Sequence, residues 1–385
     1  MVEEAGTLVG PLPGLQRMLG RVRGSQPGPT VIGVGGLHGN EPAGVLALVR
    51  VLEELGWRGG ELSGEFVGLA GNLAALAAGR RYLGRDLNRS WTPGGLAAAK
   101  DAGPAGSSED KEQVELHSVI EEVMADARGP VFLLDLHTTS GPGEPFSTVL
   151  DSLRSRKFAL GIPVPLIVGL GELVEGTLLG YLANRGVAGI VFEGGKHDNP
   201  SSVDASEAGI WLALAQAGLL DEGTFPEVTV SRDRLSAETK DLPKALELRY
   251  RHPISEAEGF KMLSGLRSFQ RVGEGEILAR NKDGPVRAPS GGRLLMPLYQ
   301  TQGEDGFFLI REFHPSWLRV SEYLRRARVD RIIHWLPGIR RDSEGDGMVV
   351  NRRMARWFTL EILHLLGYRK EVDYGDRLVV LKQVE

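Results

Sequence analysis

The run Thr30-Val31-Ile32-Gly33-Val34-Gly35-Gly36-Leu37-His38-Gly39-Asn40-Glu41-Pro42 decides how this chain is to be read. Its first half is β-branched and closed by glycine, which marks a buried strand over Thr30–Gly35. From Pro42 to Leu55 apolar residues recur at Val45, Leu48, Val49 and Leu52, the spacing of a helix with proline in its first turn. A strand therefore hands over to a helix, and the turn between them carries His38 and Glu41. Paired glycines let the backbone bend sharply beside them. Two readings of this turn stay open. An imidazole and a carboxylate three residues apart can point at one metal ion. Alternatively, Gly33-Val34-Gly35-Gly36 can serve as the phosphate loop of a metal-free nucleotide- or sugar-binding module. The second reading lacks the full G-x-G-x-x-G pattern, because position 38 is histidine.

Outward from this run, strand-like segments at Gly64–Ala70, Val131–Leu136 and Val187–Phe192 alternate with a long polar-faced helix over Glu109–Ala127. Such alternation predicts an α/β domain, residues 1–220, with a mainly parallel or mixed sheet flanked by helices. Residues 221–245 are charged, contain proline and have weak periodicity, which predicts a linker. Over 246–315 short strands with Gly-rich turns, such as Val286–Met296, predict a smaller β-domain. The last part, 316–385, has helix-like stretches at Trp317–Arg328 and Met354–Leu366 and a strand-like Leu378–Leu381. It reads as an α/β extension with no role to assign.

Composition narrows the function classes. The 385 residues suggest two or three domains at roughly 150 residues each. Lys and Arg number 45 against 50 Asp and Glu, a net charge of −5 that argues against a nucleic-acid partner. No apolar run approaches the roughly 18 residues needed to cross a bilayer, so no membrane partner is expected. Met1–Gly6 has neither a basic head nor an apolar stretch, and no secretory signal is expected. Cysteine is absent, which removes disulfides, thiolate nucleophiles and Cys-ligated metals and fits a cytoplasmic protein. A homo-oligomer is compatible with the sequence.

Three further segments bear on chemistry. Asp135-Leu136-His137 puts a histidine at the end of a buried strand, where each ring nitrogen needs a partner that apolar neighbours do not supply. Asp135 lies on the same side-chain face and can orient a ligand from behind. A core-edge histidine bonded to a backbone carbonyl is the plainer alternative for His137; two histidines and one carboxylate, with a fourth position for water, are the three-ligand arrangement of catalytic zinc. The arginine-rich loop Arg80–Arg89 suits capture of a carboxylate and polarisation of a carbonyl, although a charge run is often only a solvated loop. Glu193 closes an apolar strand, where partial desolvation raises a carboxyl toward the range of a general base; a salt-bridged structural glutamate is the plainer alternative. His38, His137 and Glu193 all fall at the carboxyl ends of expected parallel strands, the edge where open α/β sheets gather their ligands.

Taken in order, His38-Gly39-Asn40-Glu41, Arg81-Tyr82, Asp86-Leu87-Asn88-Arg89, Asp135-Leu136-His137 and Glu193-Gly194 resemble the succinylglutamate desuccinylase/aspartoacylase family of the zinc carboxypeptidase-like clan. The resemblance covers roughly residues 18–200, and more loosely the β-domain around Ala288–Met296. It implies a zinc-carboxypeptidase-like fold, one Zn²⁺ per chain held by His38, Glu41 and His137, and Glu193 as general acid and base. It also implies that Arg81 faces the reacting carbonyl and that Asn88 and Arg89 hold a substrate carboxylate, with Asp86 and Asp135 behind the metal ligands. The implied activity is hydrolysis of the amide bond of a small N-acyl amino acid; a zinc carboxypeptidase acting on small peptides is the near alternative. Family members add an arginine ahead of the catalytic glutamate and a tyrosine from the β-domain. Arg154, Arg156 and Arg185 are candidates for the first and Tyr299 for the second. The β-domain is also similar to biotinyl and lipoyl modules, but the Ser290-Gly291-Gly292 turn has no lysine for covalent attachment.

Overall fold

The structure, a computed structural model, describes residues 10–331, 333, 339–341, 348–351, 363–373 and 377–382. Eight strands open the chain's main sheet: β1 (Met18–Arg23), β2 (Gln26–Gly35), β3 (Ser63–Ala70), β4 (Val131–Thr139), β5 (Phe146–Thr148), β6 (Leu166–Val168), β7 (Ala188–Lys196) and β8 (Ala245–Pro253). Further along come β9 (Lys261–Met262), β10 (Arg271–Val272), β11 (Ile277–Asn281), β12 (Gly284–Arg287), β13 (Gly292–Leu295) and β14 (Asp305–Glu312). The helices are α1 (Ala43–Gly56), α2 (Leu73–Ala78), α3 (Pro93–Ala102), α4 (Ser108–Ala125), α5 (Leu153–Ala159), α6 (Leu170–Leu173), α7 (Leu178–Ala183), α8 (Ser201–Ala217), α9 (Pro226–Glu238) and α10 (Ser316–Arg326).

Eleven strands pair in the order β1-β3-β2-β4-β7-β5-β6-β8-β14-β13-β10. The centre, β3-β2-β4-β7, is parallel, while β1 and β5 join its two sides antiparallel. From β8 onward every pairing in this sheet is antiparallel. The fold is thus α/β with a large mixed sheet flanked by helices and a smaller C-terminal β region. Four strands of that region extend the main sheet. Another three form a separate sheet in the order β12-β11-β9.

Strand β2 shows why the centre reads so clearly. Val31 packs with Leu48 and Phe66 on one face, and Ile32 and Val34 pack with Leu116 and Ile120 on the other. A strand buried on both faces needs a continuous apolar run. The first face is covered by α1, α5, α8 and α9, the second by α4 and α7. Helix α4 begins with a capping box between Ser107 and Asp110, which fixes its start.

The segment 221–245, expected as a linker, contains α9, with Phe225, Val228 and Leu235 fully buried. Its apolar residues are few and set among charges, so helical periodicity is hard to read from them. The strand expected at 187–192 continues to Lys196 and takes Glu193 into its regular pairing. Helix α10 occupies the stretch expected from Trp317. Most of the helix expected at Met354–Leu366, and the first nine residues, lie outside the described residues. The strand expected at Leu378–Leu381 falls within β18 (Arg377–Lys382), which belongs with β15 (Ile339–Arg341), β16 (Met348–Asn351) and β17 (Tyr368–Asp373) to a third sheet.

The C-terminal part is tied to the body through Asp151, which is fully buried. Arg156 Nη2 donates to its Oδ2 at 2.7 Å and Arg325 Nη2 to the same oxygen at 2.8 Å. Asp151 N in turn donates to Glu172 Oε1 at 2.9 Å. No described helix is long and apolar enough to cross a membrane.

Candidate active site

The turn after β2 and the end of β4 meet over one carboxylate. Gly36 stands at φ 72°, in the left-handed region that glycine adopts without strain, and this lets the chain turn to present His38. His38 Nδ1 lies 2.9 Å from Glu41 Oε1, and His137 Nδ1 lies 3.0 Å from Glu41 Oε2. Thr138 N donates to the same Oε2 at 3.0 Å, which orients the carboxylate. One ligand atom from each of His38, Glu41 and His137 falls within 4.8 Å of the others, and all three residues are buried.

Behind each histidine stands another acid. His38 Nε2 is 3.1 Å from Asp86 Oδ1, and His137 Nε2 is 3.1 Å from Asp135 Oδ1. The second pair is close but poorly aligned, and both Asp135 oxygens are buried without a hydrogen-bond donor. Two buried carboxylates, Glu41 and Asp135, and the half-buried Asp86 surround two imidazoles, and one nitrogen of each ring lies close to Glu41. That set fits a divalent cation of the zinc type. The protonation balance agrees. Burial would raise Glu41, but His38 and His137 hold it well below the usual carboxylate range. Burial would lower His137, but Asp135 and Glu41 hold it well above the ordinary imidazole value.

Glu193 stands opposite His137 in the β4/β7 register, so parallel pairing alone puts the carboxyl beside the cluster. It is buried, and its Oε2 has no hydrogen-bond partner. Burial lifts the group to about 8; Glu41 and Asp135 add to the rise while His137 and Arg81 oppose it.

The arginine loop is held by the first turn of α4. Glu109 accepts from Leu83 N at 2.7 Å and Gly84 N at 3.2 Å, and Arg85 Nη2 donates to Asp110 at 2.5 Å. This brings Arg81 against the cluster, 3.4 Å from Glu41 Oε1 and 3.1 Å from Asp86 Oδ2. Asp86 is held well below its usual range: burial works against this, and His38, Arg81 and Arg89 outweigh it. Asn88 accepts from Leu178 N at 2.9 Å, and its Nδ2 sits 3.5 Å from His137 Nε2. Arg89 donates to Asn88 O at 2.8 Å, while its buried Nε has no hydrogen-bond partner.

His38, Glu41, Arg81, Asn88, Arg89, His137 and Glu193 line one cleft. Asp86 and Asp135 stand behind it. Arg154, Arg156 and Arg185 do not reach it: they bond Gly186 O, Asp151 and Glu121. Tyr299 turns its hydroxyl to Leu263 O at 2.6 Å.

Sequence reading missed His197 and Gln300. Thr138 Oγ1 is 2.7 Å from His197 Nδ1, and His197 Nε2 is 3.1 Å from Gln300 Oε1, which also accepts from Asn40 Nδ2 at 2.8 Å. Burial pulls His197 below the ordinary imidazole value, so it is neutral, with Thr138 donating to Nδ1 and Nε2–H donating to Gln300. The position of His197, four residues past Glu193 at a strand end, was an available signal; Gln300 sits in a loop with none.

The glycines of the alternative phosphate loop are closely packed. A Cβ on Gly35 would lie 2.7 Å from the backbone of Gly44 in α1, and one on Gly33 would lie 2.6 Å from the Leu48 side chain.

Residues 27–162 match the model of the succinylglutamate desuccinylase/aspartoacylase catalytic domain. Over this stretch, about a third of the chain, the sequence is similar to that family. The matched stretch holds all three residues of the His-Glu-His cluster and the arginine loop, while Glu193 lies beyond it. A succinylglutamate desuccinylase from Serratia proteamaculans (strain 568) is 36% identical over 103 residues, which is 27% of this chain and 30% of that relative. A succinylglutamate desuccinylase/aspartoacylase from Rhodobacter sphaeroides superimposes with a TM-score of 0.54 at 19% identity, covering 77% of this chain and 88% of the other. The product-bound ectoine utilization protein EutE (DoeB) from Ruegeria pomeroyi gives 0.54 at 20% identity, covering 76% and 87%. These two likenesses establish the shared fold.

Proposed function

We propose that the protein is a zinc-dependent deacylase that hydrolyses the amide bond of small N-acyl amino acids. One observation carries the reading. A buried carboxyl, Glu193, has an oxygen without a partner beside a compact His-Glu-His donor set. His38, Glu41 and His137 would hold the zinc, which when bound supplies a Lewis acid for the acyl carbonyl and makes water more acidic. Glu193 takes a proton from the attacking water and returns it to the departing amine as the C–N bond breaks. Burial raises Glu193 to about 8, and a cation bound beside it would favour the carboxylate form that accepts the proton. Arg81 is the donor directed at the carbonyl oxygen as charge builds there. Asn88 and Arg89 hold the substrate carboxylate, for which Arg89 Nε, with no hydrogen-bond partner, is available.

The test begins with metal analysis of protein purified without added zinc, where about one zinc per chain is expected. The zinc-loaded protein is then assayed on N-acyl amino acids and on N-blocked dipeptides. Faster hydrolysis of the N-acyl amino acids is the expected result. Hydrolysis confined to dipeptides would instead make it a carboxypeptidase, and metal-free protein that binds nucleotides or sugars would overturn both.

A further inference from the structure

Only two of the described residues that line the cleft carry a permanent positive charge, Arg81 and Arg89. Arg81 is already engaged by Glu41 and Asp86. Arg89 has carboxylates of Glu304 at 3.8 Å and Asp305 at 4.0 Å, both beyond hydrogen-bond distance. Asp305 is itself taken by Arg251 at 2.5 Å. Arg89 can therefore receive one incoming carboxylate, and the described lining offers no cation for a second. The apolar part of the wall is Leu170, Val174, Leu179, Val191, Met296 and Phe308, and polar members of the lining such as Ser140, Thr148 and Thr177 are uncharged. A second carboxylate laid against this wall would lose its water without gaining a counter-charge, and Glu304 and Asp305 at the rim add charge of the same sign. A neutral chain of equal length would bury apolar surface there instead.

We infer that the cleft selects amides with a single carboxylate and an otherwise apolar body, and rejects those with a second carboxylate on either side of the scissile bond. The inference rests on the deacylase reading for which bond is cut, but the selectivity itself can be measured by binding.

Four matched amides separate the cases: N-butanoyl-leucine, N-succinyl-leucine, N-butanoyl-glutamate and N-succinyl-glutamate. Each added carboxylate replaces a terminal apolar group at nearly constant length. On the zinc-loaded enzyme, kcat/KM for N-butanoyl-leucine should exceed that for each of the others by at least about 100-fold, the scale on which an unpaired buried group is rejected. Calorimetric binding of the same four to Glu193→Gln, in which turnover is slowed, should show the same order. Glu304→Arg should raise the relative kcat/KM of a dicarboxylate by about 10-fold through a new ion pair. Equal or better binding of a dicarboxylate by the parent pocket would overturn the inference and leave the deacylase reading standing. Selective binding with no turnover of any of the four would do the reverse.

Discussion

The two walls of the cleft are held in place differently. One consists of strand ends and the turns just beyond them: His38 after β2, His137 within β4 and Glu193 within β7. Parallel pairing fixes their spacing, and backbone donors such as Thr138 N fix their orientation. The other wall comes from α6 and α7 and from the loop between β13 and β14. Its loop is secured by backbone bonds such as Leu298 N to Gly306 O at 2.9 Å and by side-chain contacts, among them Ser140 Oγ to Tyr299 N at 3.0 Å and Gln300 Oε1 to Asn40 and His197. His137 and Glu193 in the first wall cannot shift without breaking the sheet. The second can be altered residue by residue, so bond-breaking chemistry and substrate choice reside in parts of the fold with different tolerance for change.

Substitutions on the two walls should therefore fail in different ways. The largest effect belongs to Glu193→Gln, which retains shape but cannot accept a proton. Zinc content should hold while kcat falls by about 10²–10⁴-fold. Glu41→Gln, on the same wall, should lose zinc as well, since a neutral amide is a weaker ligand. Zinc lost from Glu193→Gln, or full turnover by it, would remove Glu193 from the role of base. Arg89→Ala should raise KM for substrates with a free carboxylate by about 100-fold, the worth of a charged hydrogen bond, and leave the matching methyl amides little changed. An equal effect on both would mean that Arg89 reads some other group.

Asp135→Asn should weaken zinc affinity by about 10–100-fold, the usual consequence of removing a carboxylate behind a ligating histidine. A chelator titration measures it, and unchanged affinity would reduce Asp135 to a packing role. The smallest effect is expected on the second wall. Gln300→Ala removes hydrogen bonds that anchor the loop, and KM should rise about five-fold with kcat nearly constant, as for one lost neutral hydrogen bond. A fall in kcat equal to that of Glu193→Gln would erase the distinction between the walls.

The same division decides how much was legible in the chain itself. The strand-end wall announces itself because its residues follow apolar runs: His38 comes just after Thr30–Gly35, His137 follows Val131–Leu136, and Glu193 follows Ile190-Val191-Phe192. The second wall gives no such notice. Val174 and Phe308 are ordinary apolar residues, and only tertiary contact makes them neighbours of Arg89. The helix within 221–245 was hidden for a related reason, since only three of its positions face the core. The three candidate arginines looked equivalent in sequence, and their buried or exposed partners are what set them apart from the cleft.

The carboxylate of Asp151, shared by Arg156 and Arg325, bears on what a protease could remove. Cleavage near Pro315, with loss of the released segment, would take Arg325 away from the buried Asp151. Losing one partner of a buried charge cluster costs on the order of 3–5 kcal/mol, against a typical total stability of about 5–15 kcal/mol. The damage would not stop at the cut, because the backbone amide of Asp151 is held by Glu172, whose helix α6 also carries Leu170 of the apolar wall. Trimming the chain at that point would thus loosen the cleft some 140 residues upstream in sequence, as the separation of Glu172 from Pro315 shows.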